Sequence, residues 1–240
     1  ITTSFKLEDA AIEAPVISIT SGDTTVGLGA DFAPNLSFTN IPTVGDRACT
    51  VGKNIGSAAI ETVCGGATIK NAVGILFAQK FDGGAISAFI VPDIAVTQGG
   101  GGDSSNTVGA TTGGSAMNLV ISSNLGVDGL SLKAGMNDVT GKNGNEDQKS
   151  TNIGATYNFG NFSVGINRAE TENLALAAAQ DEYKTDSIGV GYAINDNLSV
   201  SVNYEETDGD TNGTDLTDEE ETTMVSVGYN MGGLGLEISY

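Results

Sequence analysis

Asp208, Asp210 and Asn212, followed by Gly213 and then Glu219, place oxygen donors at the steps of an EF-hand calcium loop. Such a set would wrap a calcium ion in carboxylate and amide oxygens, with Glu219 as the bidentate ligand. The flanks read as strands rather than helices, and Asp215 stands where an apolar residue is usual. An acidic surface loop is therefore the competing reading of the same residues. Cys49 and Cys64 are the only thiols, and histidine is absent. Two cysteines without an imidazole cannot build a zinc site of nitrogen and sulfur donors. Without histidine the commonest general base is missing too. There is no Gly-x-Ser-x-Gly elbow and no phosphate loop. The 30 Asp and Glu, against 10 Lys and Arg, gather in polar stretches that read as solvated faces. The residues thus point away from an enzyme. A net charge of -20 also excludes nucleic acid as a partner, because binding phosphates needs cations.

The elements that must carry these residues follow from a period of two. In residues 151–159, Thr151, Ile153, Ala155, Tyr157 and Phe159 take one face, and Asn152, Gly154, Thr156 and Asn158 the other. After the turn signal Gly160-Asn161, Phe162, Val164 and Ile166 alternate with Ser163, Gly165 and Asn167. The pattern returns at 188–194, 198–204, 225–230 and 234–240, and less cleanly at 73–77, 86–91, 117–121 and 130–136. Short turns at 82–84, 126–129, 160–161, 195–197 and 231–233 alternate with longer polar connections at 92–114, 138–147, 170–184 and 206–222. Residues 173–183 have helical composition and could form a short helix inside one of those connections. No apolar run approaches the roughly 20 residues of a membrane helix, but strands of a membrane β-barrel need none.

The second face decides between two all-β architectures. A soluble sandwich buries its apolar face and coats the other with charged and hydroxyl side chains. Here the second face is Gly, Ser, Asn and Ala, which suits the interior of a barrel. Tyr157, Tyr192, Tyr204, Tyr229 and Tyr240 fall at or near strand ends, as in the aromatic margins of a lipid-facing band. Arg168 is the main charge on the apolar phase and could snorkel.

Residues 14–31, Ala-Pro-Val-Ile-Ser-Ile-Thr-Ser-Gly-Asp-Thr-Thr-Val-Gly-Leu-Gly-Ala-Asp, resemble a hairpin of the Gram-negative general-diffusion porins. In that family it precedes the constriction loop. The resemblance implies a transmembrane antiparallel β-barrel of roughly 16 strands. Its turn would be Ser21-Gly22-Asp23, residues 1–8 would form the strand before it, and 32–66 the third loop, folded into the lumen. The alternation supplies about 13 strands, so residues 1–240 read as one barrel domain lacking strands at both ends. The family's Pro-Glu-Phe-Gly-Gly segment is absent from the loop.

On the same resemblance, Asp46, Arg47, Lys53 and Glu61 are candidates for the constriction, where opposed charges create a transverse field. An exported protein would join Cys49 to Cys64 as a disulfide stapling that loop. Lys6, Lys133 and Glu237 fall on the inward phase and are candidate pore-wall charges. The implied function is passive diffusion of small hydrophilic solutes and ions by a homotrimer in the bacterial outer membrane, among lipid and lipopolysaccharide. No cofactor is required, with calcium at Asp208, Asp210, Asn212 and Glu219 the one candidate. Two other functions fit the same residues: a substrate-selective outer-membrane channel, and an acidic, calcium-stabilised extracellular β-protein of adhesin or surface-layer type.

Overall fold

The computed structural model describes residues 2–6, 16–29, 68–69, 73–94, 107–108, 114–140, 147–172, 181–211, 214–215, 220–230 and 235–239. These contain sixteen strands and no helix. In chain order they are Thr2–Lys6 (β1), Val16–Ser21 (β2), Thr24–Gly29 (β3), Thr68–Ile69 (β4), Gly74–Phe81 (β5), Gly84–Ile94 (β6), Thr107–Val108 (β7) and Gly114–Ser123 (β8). Leu130–Thr140 (β9), Gln148–Phe159 (β10), Phe162–Glu172 (β11), Asp181–Asn195 (β12), Leu198–Thr211 (β13), Thr214–Asp215 (β14), Glu220–Asn230 (β15) and Gly235–Ser239 (β16) complete them.

All but β4 and β7 belong to a single 14-stranded sheet, antiparallel throughout, in which every strand along the main path pairs with its neighbours in sequence. β14 hangs off β13, and no pairing joins β16 to β1 among the described residues. β4 and β7 form a separate two-stranded parallel ladder. The expected hairpins appear at Gly22–Asp23, Asp82–Gly83, Gly160–Asn161 and Asp196–Asn197; the proposed turn at 231–233 lies outside the described residues.

The strands run further than apolar alternation foretells. β11 continues through Glu172, β12 begins at Asp181, and β13 extends to Thr211, all within stretches read as polar connections. Backbone pairing needs no apolar side chain, so the ladder persists after the outward phase has turned charged. The suggested helix over 173–183 is corrected accordingly at its end: Asp181, Glu182 and Tyr183 are strand, opposite Thr211, Asp210 and Gly209. Its earlier part lies outside the described residues. Tyr204 is likewise no strand end but sits in the middle of β13.

Gly129 shows how tightly one short connection is set. It holds φ at +79°, its carbonyl oxygen accepts the Asn158 N–H at 2.9 Å, and a Cβ there would overlap the Asn158 carbonyl oxygen. Gly129→Ala is expected to cost about 1–3 kcal/mol through strain and overlap together. Gly126→Asn, at φ +71° with open space around it, should cost much less. Urea unfolding in detergent micelles measures both, and equal midpoints for the two variants would contradict the overlap.

The two faces of the sheet have opposite chemistry to those of a water-soluble fold. Ile153 is 60% exposed and Ile166 57%, whereas Asn152 is 2% and Asn167 4% exposed. The same holds across the sheet: Val190, Val202 and Val225 are exposed, while Thr185, Ser187, Ser201, Asn203 and Ser226 are buried. In water this arrangement forfeits the hydrophobic gain that drives folding. With hydrocarbon outside, it is the arrangement that folding requires. A soluble sandwich, by contrast, would have buried the isoleucines.

Candidate functional site

The inward face is built row by row by the register. Lys133 of β9 stands opposite Gly154 of β10, which stands opposite Asn167 of β11. Asn167 pairs with Ser187 of β12, and Ser187 with Glu205 of β13. Lys133 and Glu205 thus lie in one row, four strands apart, roughly 19 Å along the wall at the usual strand spacing. The Ser187 hydroxyl donates to Glu205 Oε2 at 3.2 Å, and Glu205 is buried. Neighbouring rows are neutral and polar. Asn118 Nδ2 donates to Asn137 Oδ1 at 2.5 Å, the Thr185 and Thr207 hydroxyls are 3.1 Å apart, and Thr171 Oγ1 donates to Ser150 Oγ at 3.3 Å.

Two amides stand out in this wall. The side-chain nitrogen and oxygen of both Asn152 and Asn167 are buried without a hydrogen-bonding partner in the protein. Buried amides are rarely left so, because each unmet group costs free energy. Polar atoms of this kind, turned to the inside of a sheet, call for a hydrogen-bonding partner, and ordered water is the usual one at such places. A hydrated interior with a cation and an anion on one row is an electrostatic passage: it can screen solutes by size and bias ions by sign.

The outward face supplies the matching exterior. Tyr157 stacks on Phe159 at 5.6 Å, Phe159 on Phe162 at 5.5 Å, and Phe162 meets Tyr192 at 4.5 Å. This chain of rings crosses β10, β11 and β12 at their short-turn ends, where an aromatic girdle belongs. Above it come Val164, Ile166, Ile188, Val190, Val200 and Val202 in register. Past these, the outward positions become Arg168, Glu170, Asp186, Lys184, Glu206 and Asp208. Arg168 donates through Nε and Nη2 to the two carboxylate oxygens of Asp186, each at 2.6 Å. The one charge noticed on the apolar phase therefore has its counter-ion directly across the ladder.

Of the residues singled out from the sequence, Lys133 lies on the row opposite Gly154. Lys6 is opposite Val16, and Glu237 opposite Gly228. Asp46, Arg47, Lys53 and Glu61, the two cysteines, and the whole proposed loop at 32–66 lie outside the described residues. The calcium reading meets a geometric difficulty. Asp208 and Asp210 are in the extended ladder of β13, opposite Lys184 and Glu182, rather than in the tight oxygen-lined turn that an EF-hand needs. Asn212 and Glu219 lie outside the described residues. Among the described residues no group of three or more acidic or cysteine side chains could hold a metal ion. Glu205 was not singled out. Extending the alternation Ser199, Ser201, Asn203 by one step would have found it.

Comparison with known proteins is consistent with this geometry. The model of the family described as Gram-negative porin matches residues 11–240. No curated protein matches the sequence. Among solved structures, a loop-deletion mutant of OmpT, an outer membrane protein of Vibrio cholerae, is similar with a TM-score of 0.52 at 14% identity, over 99% of this chain and 78% of that one. The trimer form of in-vitro folded OmpT from the same organism gives 0.51 at 14% identity, over 99% and 74%. A porin refined at 1.8 Å gives 0.51 at 12% identity, over 94% and 74%. At such identities the likeness is one of fold.

Proposed function

The chain belongs to the Gram-negative porin family, acts as a porin of the bacterial outer membrane, and on that premise we propose how its own residues make it one. The inversion of the sheet carries the proposal: neutral polar side chains line the inside and exposed aliphatic ones the outside. Water fills the interior, and small hydrophilic solutes and ions diffuse through it passively. No bond is made or broken, so the protein is not an enzyme and conduction needs no cofactor. The rate is set by lumen width and by fixed charge.

Lys133 and Glu205 are the wall charges we assign to the ion path, with Lys6 and Glu237 as further members. Asp46, Arg47, Lys53 and Glu61 would narrow and polarise the passage from an inserted loop over 32–66, and a Cys49–Cys64 disulfide would limit that loop's movement. The working form is a homotrimer, a state supported by the trimer form of the structurally similar OmpT.

Planar-bilayer recording of the detergent-extracted protein tests the reading. Single insertions should raise the conductance in three equal steps, and EDTA should leave the level unchanged. A protein that remains soluble without detergent and never conducts would refute the channel. Single steps would refute the trimer alone, and EDTA-sensitive conductance the independence from metal.

A further inference from the structure

We propose that the apolar side of the sheet is a docking surface for a basic amphipathic helix of another polypeptide. The helix would lie in the plane of the membrane, its apolar side in a groove and its lysines or arginines against an acidic row above. The proposal rests on that side facing the membrane, as the porin reading has it. A groove of about 820 Å³ runs across β8 to β13 on the apolar side, with Ile121, Leu132, Ile153, Ile166 and Ile188 among its lining. Ala134 and Ala155 also line it, on adjacent strands, Ala134 opposite Ile153 and Ala155 opposite Leu132. Two single-methyl side chains among isoleucines and a leucine deepen the groove, and walls without a partner forgo dispersion contacts. Five strand spacings separate β8 from β13, about 24 Å. A helix of about 16 residues has that length. Amphipathic helices lie flat at an interface in this way, apolar side buried and basic side toward negative charge.

The charge above the groove selects the occupant. Arg168, Asp186, Glu206 and Glu221 stand side by side in one outward row across β11, β12, β13 and β15. Arg168 and Asp186 neutralise each other through their two hydrogen bonds. That leaves Glu206 and Glu221 facing each other across the ladder of β13 and β15, where like charges repel. The Tyr204 hydroxyl donates to Glu206 Oε2 at 3.2 Å, which adds a dipole but no charge. In the next row Glu170 and Asp208 stand on either side of Lys184. The margin of the groove is therefore net negative. A second copy of this chain or an anionic headgroup would add to the repulsion there, whereas a cation set between Glu206 and Glu221 relieves it. A partner with an apolar stripe and a basic flank matches the groove and its margin together. The long connections on that side face the cell exterior in barrels of this kind, so the basic flank points outward.

The test uses the full-length protein in micelles of a neutral detergent. The probe is a fluorescent synthetic helix of leucine and lysine, about 16 residues long with leucine along one side; the control carries glutamate at every lysine. Fluorescence anisotropy, read against empty micelles, should show the lysine helix bound and the glutamate helix not bound. Glu206→Gln with Glu221→Gln should weaken binding about tenfold, the loss of two ion pairs at the margin. Ala155→Phe fills the groove and should weaken binding by a similar factor without altering any charge. Unchanged affinity in the double glutamine variant would overturn the proposal, and so would equal binding of the two helices. A wild type that conducts but binds neither helix would leave the groove to lipid and overturn it as well. Loss of the oligomer in Ala155→Phe with binding unchanged would assign the groove to a second copy of this chain, again overturning it. Planar-bilayer conductance is read in parallel, and both variants should match wild type because none of these residues faces the lumen. A wild type that binds the lysine helix alone but never conducts would support the docking surface and strike only the channel reading.

Discussion

Val190→Arg is expected to keep the protein from assembling in a bilayer, or to weaken it there by about 2–4 kcal/mol, the cost of a lipid-facing cation near the midplane. Val190 lies opposite Val164 and Val202, with the aromatic girdle on one side and Ile188 on the other. No carboxylate stands across the ladder to neutralise the new charge, in contrast to Arg168 and its Asp186. Val190 is 43% exposed, and in a water-soluble protein a charge at such a position changes stability by about 0.5 kcal/mol or less. The same substitution therefore gives opposite results in the two solvents. Ser199→Lys, on the inward phase of β13, should refold into vesicles nearly as well as wild type. Urea titration of both variants after refolding into lipid vesicles measures the contrast. Val190→Arg behaving like wild type would be incompatible with a lipid-facing belt.

The second large effect is on ion preference. Replacing Glu205 with lysine exchanges the wall's buried acid for a base beside Ser187 and across from Thr222. A unit charge passed at about 4 Å in water is worth about 1 kcal/mol, a factor of about five in local ion concentration. Two units of change should then move the potassium-to-chloride permeability ratio by more than tenfold toward the anion. Glu205→Gln should produce about half that shift on a logarithmic scale. The reversal potential under a potassium chloride gradient reads both directly. An unmoved reversal potential, with single-channel conductance intact, would place Glu205 off the ion path. Glu220 is one strand further on and opposite Thr207, so repeating the measurement with Glu220→Gln separates the two acids.

The succession of antiparallel strands, the short turns among the described residues and the polarity of the two faces were legible from the sequence because each depends on neighbours in the chain. Ile153 and Asn152 differ by one residue, and a period of two assigns them to opposite faces without any long-range information. The strand ends were not legible, since beyond Ile166 and Ile188 the outward residues are charged while the ladder continues. Judged by apolar residues, β13 stops at Tyr204, which hid Glu205 and made Tyr204 look like a terminus. The Arg168–Asp186 pair was hidden for another reason. Its partners are 18 residues apart, and only the register of β11 against β12 brings them face to face. The calcium motif is legible only in part, since Asn212 and Glu219 lie outside the described residues. Its spacing matches a loop, but the backbone at Asp208 and Asp210 is committed to a ladder.

Every strand on the main path pairs only with those before and after it. Distance along the chain therefore measures distance around the wall. Assembly can proceed largely as a series of local closures; the long-range exceptions are β3 with β5, from Gly29 to Gly74, and β6 with β8, from Ile94 to Gly114, where most of the loop-closing entropy is spent. The wall is also modular in units of two strands. A hairpin such as β10 and β11 could be removed or duplicated without rerouting its neighbours, since among the described residues the strands of the main path follow one another without crossing. Circumference, and with it the size of solute admitted, is thus open to adjustment in discrete increments by engineering whole hairpins, leaving the alternation within each strand untouched.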